Sequence, residues 1–497
     1  MLVTPDLQKV LADQGPATHM ALSVELLADM ETPISLYQKL GGDSPYTFLL
    51  ESAAGGEAFG RYSFIGCGAS TRFEFKNGQG TIWRDQKTEH VSFDNPLSVL
   101  EKLLASYRVV PQEGLPRFQG GAVGYLGYDC VQYFEDIPLP ESSVLDYPEG
   151  SFLLVDEVVI FDHLKHRVVL VIHIPLAGDR RAHYQRGQER LAALSARLDV
   201  SLPPEKLFAP AGSPALLPWQ ANLSRDEFET AVRQAREAIV AGEVFQVVLS
   251  QRLTVEVGLP PFEVYRSLRA LNPSPYMFYF NFAGWSIVGA SPEVLVRLER
   301  DEILLRPIAG TRPRGQDRGE DEVHARDLLA DEKELAEHHM LLDLGRNDVG
   351  RMAQIGTVRV EDPLHIEYYS HVMHLVSDIR GQVAPGRTAF DVLRACFPAG
   401  TVSGAPKIRA MELISSLEAD RRGLYAGAVG YFDFTGNMDM CIAIRTLLVA
   451  PEKAYLQVGA GIVFDSDPAR EYEECMSKAQ GPLAALALTK ERLRGRS

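Results

Sequence analysis

The chain contains 497 residues, and 46% of them are hydrophobic, which is enough apolar material for at least one large core. This composition excludes a disordered, collagen-like or coiled-coil protein. Because 66 acidic residues outnumber 50 basic ones, the formal net charge is −16. Such a surface repels phosphate backbones and anionic lipid, so the sequence predicts neither a nucleic-acid partner nor a membrane partner. A negatively charged substrate would need positive side chains gathered locally.

Cysteine usage and the N-terminus predict a cytoplasmic protein. The five cysteines are odd in number and widely scattered, so they indicate neither a disulfide framework nor a Cys-x-x-Cys metal site. The first residues lack a basic segment followed by an apolar run, which argues against a signal peptide. The most apolar stretch, Val168 to Leu176, is too short to span a bilayer.

One change in composition divides the sequence. Residues 201–221 contain five prolines and are interpreted as an extended connector. Short β-type runs separated by Gly/Pro turns precede the connector, and they predict a sheet-rich α+β part over residues 1–200. Residues 222–497 are expected to form a second part.

Helix and strand signals become clearer after the connector. Ser224-x-x-Glu227 is a capping box that begins an amphipathic helix, and Gly242 is expected to end it. The run FQVVLSQRL (245–253) follows as a strand. The acidic run EDEVHARDLLADEKELAEHH (320–339) is predicted to be one helix rather than a tail.

Glu293 and His374 each have a structural and a functional interpretation. Glu293 follows a Gly-Ala-Ser-Pro bend, and it is either a helix or turn cap or a desolvated acid with a raised pKa. His374 alternates with apolar neighbours, which is typical of a hydrogen-bonded core histidine.

Two predicted helices each carry a pair of acids at positions i and i+3. Asp331 is expected to cap the first helix and Asp467 the second. Either pair alone is typical of a solvated helix surface. If the pairs face each other, they form an oxygen-rich site suited to Mg²⁺. The acids are Glu334 and Glu337 in the first helix, and Glu471 and Glu474, followed by Lys478, in the second.

Three further segments offer positive charge or backbone N–H groups. The loop FPAGTVSGAP leads into a helix at Pro406, whose N-terminus is positively polarised. Arg445 lies in the apolar run CIAIRTLLV, where its guanidinium must pair with a carboxylate ligand or a structural acid. Residues 459–461, Gly-Ala-Gly, are either a strand-end bend or bulge or a backbone nest for an anion.

Taken together, these segments resemble the chorismate-utilising enzymes, and among them the large subunits (component I) of anthranilate synthases. The resemblance covers most of the chain and is densest after residue 224. It implies an α+β fold of stacked, mostly antiparallel sheets flanked by helices. The matching blocks are GEVFQVVLSQR (242–252), NPSPYMFYF (272–280), GASPE (289–293), RPIAGTRPRG (306–315), DEKELAEHHMLLDLGRND (331–348), VMHLVS (372–377), FPAGTVSGAPK (397–407), YAGAVGY (425–431), CIAIRT (441–446), VGAGIVFDSDP (458–468) and EYEECMSKA (471–479).

The resemblance implies a Mg²⁺-dependent enzyme that binds chorismate. Glu337 and Glu474 match the metal ligands, and Glu334 and Glu471 are neighbouring acids. The positions that match the substrate pocket are Gly310, Thr311, Thr401, Tyr425, Arg445, Gly459, Ala460, Gly461 and Lys478.

The implied reaction adds ammonia at C2 of chorismate, removes the C4 hydroxyl, and then eliminates pyruvate to leave anthranilate, as the first step of tryptophan biosynthesis. Because hydroxide is a poor leaving group, an acid must protonate it as it departs. Glu293 matches the acid of related enzymes. His374 matches a family histidine, which we assign to proton handling.

Two positions distinguish branches of the family. Relatives that add water carry a lysine base where this chain has Gln246, and a glutamine cannot deprotonate water. Relatives that make aminodeoxychorismate carry a lysine nucleophile where this chain has Ala309. Anthranilate is therefore the expected product. The alternatives are an aminodeoxychorismate synthase component I and a catalytically silent tryptophan-binding regulator.

The resemblance also implies partners and an inhibitor. The chain lacks an amidotransferase signature, so ammonia is expected from a separate glutamine amidotransferase subunit (component II), with which the chain would form a heterotetramer. L-Tryptophan is expected as a feedback inhibitor. Its site is assigned to Glu51, Ser52, Asn272, Pro275, Tyr276 and Met277.

Overall fold

Two antiparallel sheets form the centre of the protein. The computed structural model describes residues 2–42, 44–52, 60–69, 71–84, 86–112, 114–204, 214–369 and 372–495, so residues 205–213 of the predicted connector lie outside it. The strands are β1 (His19–Leu27), β2 (Thr47–Glu51), β3 (Tyr62–Cys67), β4 (Thr71–Lys76), β5 (Gln79–Arg84), β6 (Lys87–Ser92), β7 (Gly121–Leu126), β8 (Gly150–Val155), β9 (Glu157–Asp162), β10 (Arg167–Pro175), β11 (Gln220–Ala221), β12 (Gln246–Glu256), β13 (Tyr276–Asn281), β14 (Ser286–Ser291), β15 (Val294–Glu299), β16 (Glu302–Leu305), β17 (Ile308–Pro313), β18 (Arg359–Tyr368), β19 (Val372–Gln382), β20 (Gly404–Ala405), β21 (Ala428–Asp433), β22 (Met438–Ile442), β23 (Thr446–Val449) and β24 (Lys453–Ile462).

Helices flank these sheets. In the described part of the chain, none of them combines the length and apolar character that crossing a bilayer requires. The α-helices are α1 (Leu7–Ala12), α2 (Pro33–Lys39), α3 (Pro96–Ala105), α4 (Arg180–Leu198), α5 (Arg225–Val240), α6 (Pro261–Leu271), α7 (Arg318–Ala330), α8 (Glu332–Gly350), α9 (Ala389–Cys396), α10 (Lys407–Leu417) and α11 (Pro468–Arg494).

Both sheets contain strands from before and after residues 205–213. The first sheet has the order β1-β10-β9-β3-β2-β13-β14-β23-β24-β12-β11, with β20 beside β12. The second has the order β17-β19-β16-β15-β22-β21-β7-β8-β4-β5-β6, with β18 beside β19. Strand β2 pairs with β13, and β7 pairs with β21, all antiparallel. The ladders therefore join the N-terminal and C-terminal parts of the chain.

The sheets stack face to face because each presents an apolar face. One buried cluster contains Phe48 and Phe278 from the first sheet together with Val123 and Val429 from the second. The outer face of the first sheet is covered by helices, with α4 packed on β10 and α11 packed on β24. This arrangement confirms the predicted fold class of stacked antiparallel sheets flanked by helices.

Helix starts follow the predicted capping residues, with one correction. The Ser224 capping box begins α5, and Gly242 follows its end with φ +79°. The acidic run 320–339 forms two helices, α7 and α8, and the prediction of one helix is wrong. Asp331 ends α7 and caps α8, because its side chain accepts the backbone N–H groups of Lys333 and Glu334.

Candidate functional site

The four predicted acids lie near the N-terminal ends of α8 and α11. The capping bonds of Asp331 fix the start of α8, and the Asp467 side chain accepts the backbone N–H of Arg470 at the start of α11. Both predicted caps are therefore confirmed. Because a cap fixes the helical register, it also fixes the direction in which the acids project.

The acids of the two helices interact electrostatically with one another. Burial raises the pKa of Glu337, and the charges of Glu334 and Glu474 raise it further. Burial also raises the pKa of Glu471, to which Glu474 again contributes. The charge of Lys333, at the start of α8, lowers the pKa of both Glu337 and Glu471. The two helix starts therefore face each other.

These acids form an open set rather than a closed metal cage. Across the described residues, no group of three or more His, Cys, Asp or Glu side chains is placed to hold a metal ion. Glu474 forms a 2.7 Å ion pair with Lys478, and Glu337 accepts a 3.1 Å hydrogen bond from Gln246. Mg²⁺ usually takes one or two carboxylates together with water and substrate oxygens. The acids fit Mg²⁺ in such an open site.

Gln246 lies between the acids and β24. Its Nε2 donates to Glu337, and a Cβ added at Gly461 would lie 2.8 Å from the same nitrogen. Its Oε1 is buried and has no hydrogen-bond partner in the part of the chain that the structure describes. A buried amide oxygen without a donor is costly, so a small donor bound here would be stabilised.

Residues 459–461 are extended residues of β24, paired antiparallel with β12. Neither glycine has a positive φ, so the segment is not the turn that a backbone nest requires. A Cβ added at Gly459 would lie 2.6 Å from the phenol oxygen of Tyr425. The carbonyl of Gly459 accepts a 2.9 Å hydrogen bond from Lys478. Position 459 therefore needs a glycine because the Tyr425 side chain approaches the backbone closely, and not because of the backbone conformation.

Arg445 lies between β22 and β23 rather than inside a strand, with φ +51° in the left-handed region. Burial lowers its pKa, whereas Tyr425 and Glu474 act electrostatically in the opposite direction. Among the described residues, no carboxylate forms an ion pair with its guanidinium. A strained backbone and an uncompensated positive charge are both typical of a binding position.

Glu293 lies between β14 and β15 and is 8% exposed. Burial raises the pKa of its carboxyl to about 8, although a hydrogen bond from Thr401 and the charge of Lys478 act to lower it. The Thr401 hydroxyl donates to Oε1 over 2.9 Å. Glu293 therefore carries a proton at neutral pH, which agrees with the second of its two interpretations.

His374 lies on β19, beside Thr311 of β17. Its Nδ1 is 3.1 Å from the carbonyl oxygen of Gly310 and 3.1 Å from the hydroxyl of Thr311. A carbonyl can only accept, so Nδ1 carries the hydrogen and Nε2 is left to receive a proton. Burial lowers the pKa of His374, and the charge of Arg445 adds to this, whereas the hydrogen bond to Gly310 and the charge of Glu367 act to raise it. A Cβ added at Gly310 would lie 3.2 Å from Glu334, which joins this histidine to the acids.

These contacts and charge interactions connect the positions assigned to metal and substrate in one continuous network. The connected residues are Glu293, Gly310, Thr311, Glu334, Glu337, His374, Thr401, Tyr425, Arg445, Gly459, Ala460, Gly461, Glu471, Glu474 and Lys478.

Most of the residues assigned to tryptophan line a second pocket, of about 490 Å³. They are Glu51, Ser52, Pro275, Tyr276 and Met277. Glu51 also braces the wall, because its carboxylate accepts hydrogen bonds from Tyr265 and Arg269. Asn272 is not among the lining residues; it caps the C-terminal end of α6.

The sequence interpretation missed the charged wall of this second pocket. Arg297 forms a 3.0 Å ion pair with Asp439, and Arg117 approaches the same carboxylate within 3.2 Å. The hydroxyl of Tyr276 donates to Asp439 over 2.9 Å. A signal for Arg297 was present, since it is a lone basic residue in the apolar strand VLVRLE, as Arg445 is in its own run.

The whole arrangement has known relatives. The model of the chorismate binding enzyme family matches residues 19–484. The chain belongs to this family. It is therefore a chorismate-binding enzyme, and the predicted resemblance is confirmed.

Similar members of the family cover nearly the whole chain. The anthranilate synthase component 1 of Pseudomonas aeruginosa is 46% identical over 477 residues, or 95% of this chain and 96% of the relative. That of Acetivibrio thermocellus is 44% identical over 468 residues, or 94% of each. The crystal structure of anthranilate synthase component I from Streptococcus pneumoniae has a TM-score of 0.75 at 37% identity, and it covers 85% of this chain and 92% of that one. The menaquinone-specific isochorismate synthase of Escherichia coli shares the fold, with a TM-score of 0.69 at 20% identity over 97% of this chain and 98% of that one.

Proposed function

We propose that the chain converts chorismate and ammonia to anthranilate, pyruvate and water, the first step of tryptophan biosynthesis. One observation carries the proposal: the buried guanidinium of Arg445, which has no ion-pair partner among the described residues, interacts electrostatically with Glu474 of α11, and Glu474 in turn interacts with Glu337 of α8. A dicarboxylate substrate matches such an arrangement, because one of its carboxylates can meet the arginine while the other needs a cation between itself and the acids. The names of the near full-length relatives support the same activity.

The positive side of the site would bind and orient the substrate. Arg445 offers a planar guanidinium suited to bidentate contact with a carboxylate. The Tyr425 hydroxyl lies beside Gly459 and would offer a hydrogen bond to a substrate carboxylate. Lys478 adds a second positive charge, shared with Glu474.

The acids would hold Mg²⁺, with Glu337 and Glu474 as ligands and Glu334 and Glu471 beside them. Their mutual repulsion raises the pKa values of Glu337 and Glu471 beyond the effect of burial, which a divalent cation would relieve. When bound, the ion supplies charge neutralisation and orientation for a substrate carboxylate.

Proton transfer would be divided between two groups. Protonated Glu293 can donate to the C4 hydroxyl as it leaves, so that water rather than hydroxide departs. His374 presents an unprotonated Nε2, which suits it to accept a proton elsewhere in the site. At neutral pH Glu293 carries its proton and His374 Nε2 carries none, because burial disfavours the charged form of each group.

Gln246 and Ala309 would set the nucleophile. The buried Oε1 of Gln246 can accept an N–H from ammonia, but an amide cannot deprotonate water. Ala309 has no amine, so an amine-transfer route through that position is closed. Gln246 therefore favours ammonia over water as the nucleophile, and Ala309 favours anthranilate over aminodeoxychorismate.

Ammonia would come from a separate glutamine amidotransferase subunit, component II, in a heterotetramer. Free ammonia is mostly protonated at neutral pH and is then unreactive, so delivery from a bound partner makes physical sense. We place both subunits in the cytoplasm, where the five free cysteines would stay reduced.

L-Tryptophan would inhibit the enzyme from the second pocket. The wall carries the guanidiniums of Arg117 and Arg297, which suit an amino-acid carboxylate, and the carboxylates of Glu51 and Asp439, which suit its ammonium group. The pocket lies where β2, from the N-terminal part, meets β13. A ligand there can favour one arrangement of the two parts by differential affinity.

The test supplies purified chain with chorismate, ammonium and Mg²⁺ and follows anthranilate by fluorescence and pyruvate by a coupled assay. We expect equal amounts of both products, loss of turnover with EDTA and recovery with added Mg²⁺. Aminodeoxychorismate in place of anthranilate, or no turnover at all, would contradict the proposal.

Matched variants test the metal assignment. Glu337→Gln and Glu474→Gln remove proposed ligands and should nearly abolish turnover. Glu473→Gln removes the same charge from the exposed side of α11 and should leave turnover intact, since its ion pair is with Arg225. Normal turnover by both ligand variants would eliminate the metal site.

A further inference from the structure

A residue outside the assigned set packs against His374. The ring of Tyr369 lies 5.4 Å from the His374 ring, at an interplanar angle of 65°. This edge-to-face geometry is a favourable contact between aromatic rings. The other side of the imidazole is fixed at Nδ1 by Gly310. Tyr369 therefore limits rotation of the His374 imidazole about the Cβ–Cγ bond.

Tyr369 is itself held at three points. Its hydroxyl donates to Glu367 Oε2 over 2.8 Å, and its backbone N–H donates to the carbonyl of Val372 over 2.8 Å. Its carbonyl accepts a 2.6 Å hydrogen bond from Arg314. Because both backbone and side chain are fixed, the ring has one orientation to offer the histidine.

The hydrogen bond of the Tyr369 hydroxyl continues through Glu367 and Arg306 to β19, the strand that carries His374. Glu367 Oε1 accepts a 2.5 Å hydrogen bond from Arg306, and Arg306 donates over 2.6 Å to Asp378. Asp378 and His374 both belong to β19, and Glu367 lies directly opposite His374 on β18. Arg306 pairs with Glu367, and the remaining effect of the Glu367 charge on the imidazole is to raise the pKa of His374.

The same residues border a cavity of about 350 Å³ next to Glu293. Tyr369, Glu367 and Arg306 line it together with Pro292 and Val294, the two chain neighbours of Glu293. Tyr369 also interacts electrostatically with Glu293. The tyrosine is therefore close to both of the residues that we assign to proton transfer.

We propose that Tyr369 is a positioning residue that sets the orientation of His374, and that Glu367 and Arg306 hold it in place. The proposal rests on the proposed function in one respect, the role of His374 in turnover. Its structural part, the fixed state of the imidazole, can be tested without turnover. Tyr369 needs no contact with substrate, since its hydroxyl is used by Glu367.

Four variants separate positioning from general stability. Tyr369→Leu removes the ring and should lower kcat about 10- to 100-fold with the KM for chorismate within about twofold, because displacement of a reacting group by about 1 Å has effects of this size. Tyr369→Phe keeps the ring and should have a smaller effect. Glu367→Gln keeps an oxygen for the phenol and should retain more activity than Glu367→Ala. Tyr368→Phe, at the exposed neighbour, should match the wild type.

The readout independent of turnover is nitrogen NMR of the histidine-labelled full chain, with the His374 signal assigned by its loss in His374→Asn. The wild type should show a proton on Nδ1, and Tyr369→Leu should show mixed tautomers. Wild-type kcat and an unchanged tautomer in Tyr369→Leu would overturn the proposal, as would a raised KM with normal kcat. If Tyr369→Leu fails to fold, Tyr369→Phe and the two Glu367 variants decide by the same measurements. If the wild type has no turnover but Tyr369→Leu still shifts the His374 tautomer, the proposed function is rejected and the positioning role is kept.

Discussion

Turnover should fall as the pH rises through 8, because the proposed proton donor titrates there. Burial raises the pKa of Glu293 to about 8. The active, protonated form is present below this pH and is lost above it. For one titrating group, the protonated fraction falls from about nine-tenths at pH 7 to about one-tenth at pH 9, so kcat should fall about tenfold.

Removal of the Thr401 hydroxyl should shift the pH at which kcat falls. Thr401 donates to the Glu293 carboxylate over 2.9 Å and stabilises its charged form. Thr401→Val removes that bond, so the pKa should rise and the fall in kcat should move about one pH unit higher, because a hydrogen bond to a charged group contributes about 1.5 kcal/mol or more. Glu293→Gln should abolish the dependence and lower kcat about 10²- to 10⁴-fold.

The assay must keep the nucleophile constant. Free ammonia increases with pH and would mask the fall, so total ammonium is adjusted to hold the ammonia concentration fixed at saturating chorismate and Mg²⁺. Circular dichroism at each pH checks that the chain stays folded. A level kcat between pH 7 and 9, or a Thr401→Val profile that superimposes on that of the wild type, would refute the reasoning.

Three other expectations concern binding. Arg445→Lys keeps the charge but loses the planar fork, and it should lower kcat/KM for chorismate about 100-fold in steady-state kinetics; an unchanged value would remove the arginine from the substrate site. Glu337→Gln should weaken Mn²⁺ binding about tenfold or more in titrations followed by electron paramagnetic resonance, with Glu473→Gln as the control. Ser52→Phe should fill part of the 490 Å³ pocket and abolish tryptophan inhibition while ammonia-dependent activity persists; an unchanged inhibition curve would argue against this pocket.

Local chemistry made several elements predictable. Asp467 and Ser224 mark helix starts because a cap acts on N–H groups within three residues of itself. The same chemistry explains the incorrect single helix over 320–339. Asp331 bonds the N–H groups that follow it, so α8 begins where α7 ends. The sequence predicts the Asp331 cap, but the acidic and apolar residues on both sides of it favour helix equally, so the run alone does not show the break.

Long-range contacts were not predictable from the residues alone. Gly459 needs to be small because Tyr425, far away in sequence, lies over it. Arg445 looked like a strand residue, yet its backbone turns left-handed between two strands. The facing of the two acid pairs depends on how α8 and α11 pack, and only the family resemblance supplied that expectation from the sequence.

The pairing of β7 with β21 has a consequence for biosynthesis. Leu126 lies opposite Ala428, so the ribosome must add about 300 residues before this ladder can close. At roughly 5 to 20 residues per second, β7 waits about 15 to 60 s for its neighbour. During translation the nascent chain exposes an unsatisfied strand edge for that whole interval, which makes it a natural client for chaperones.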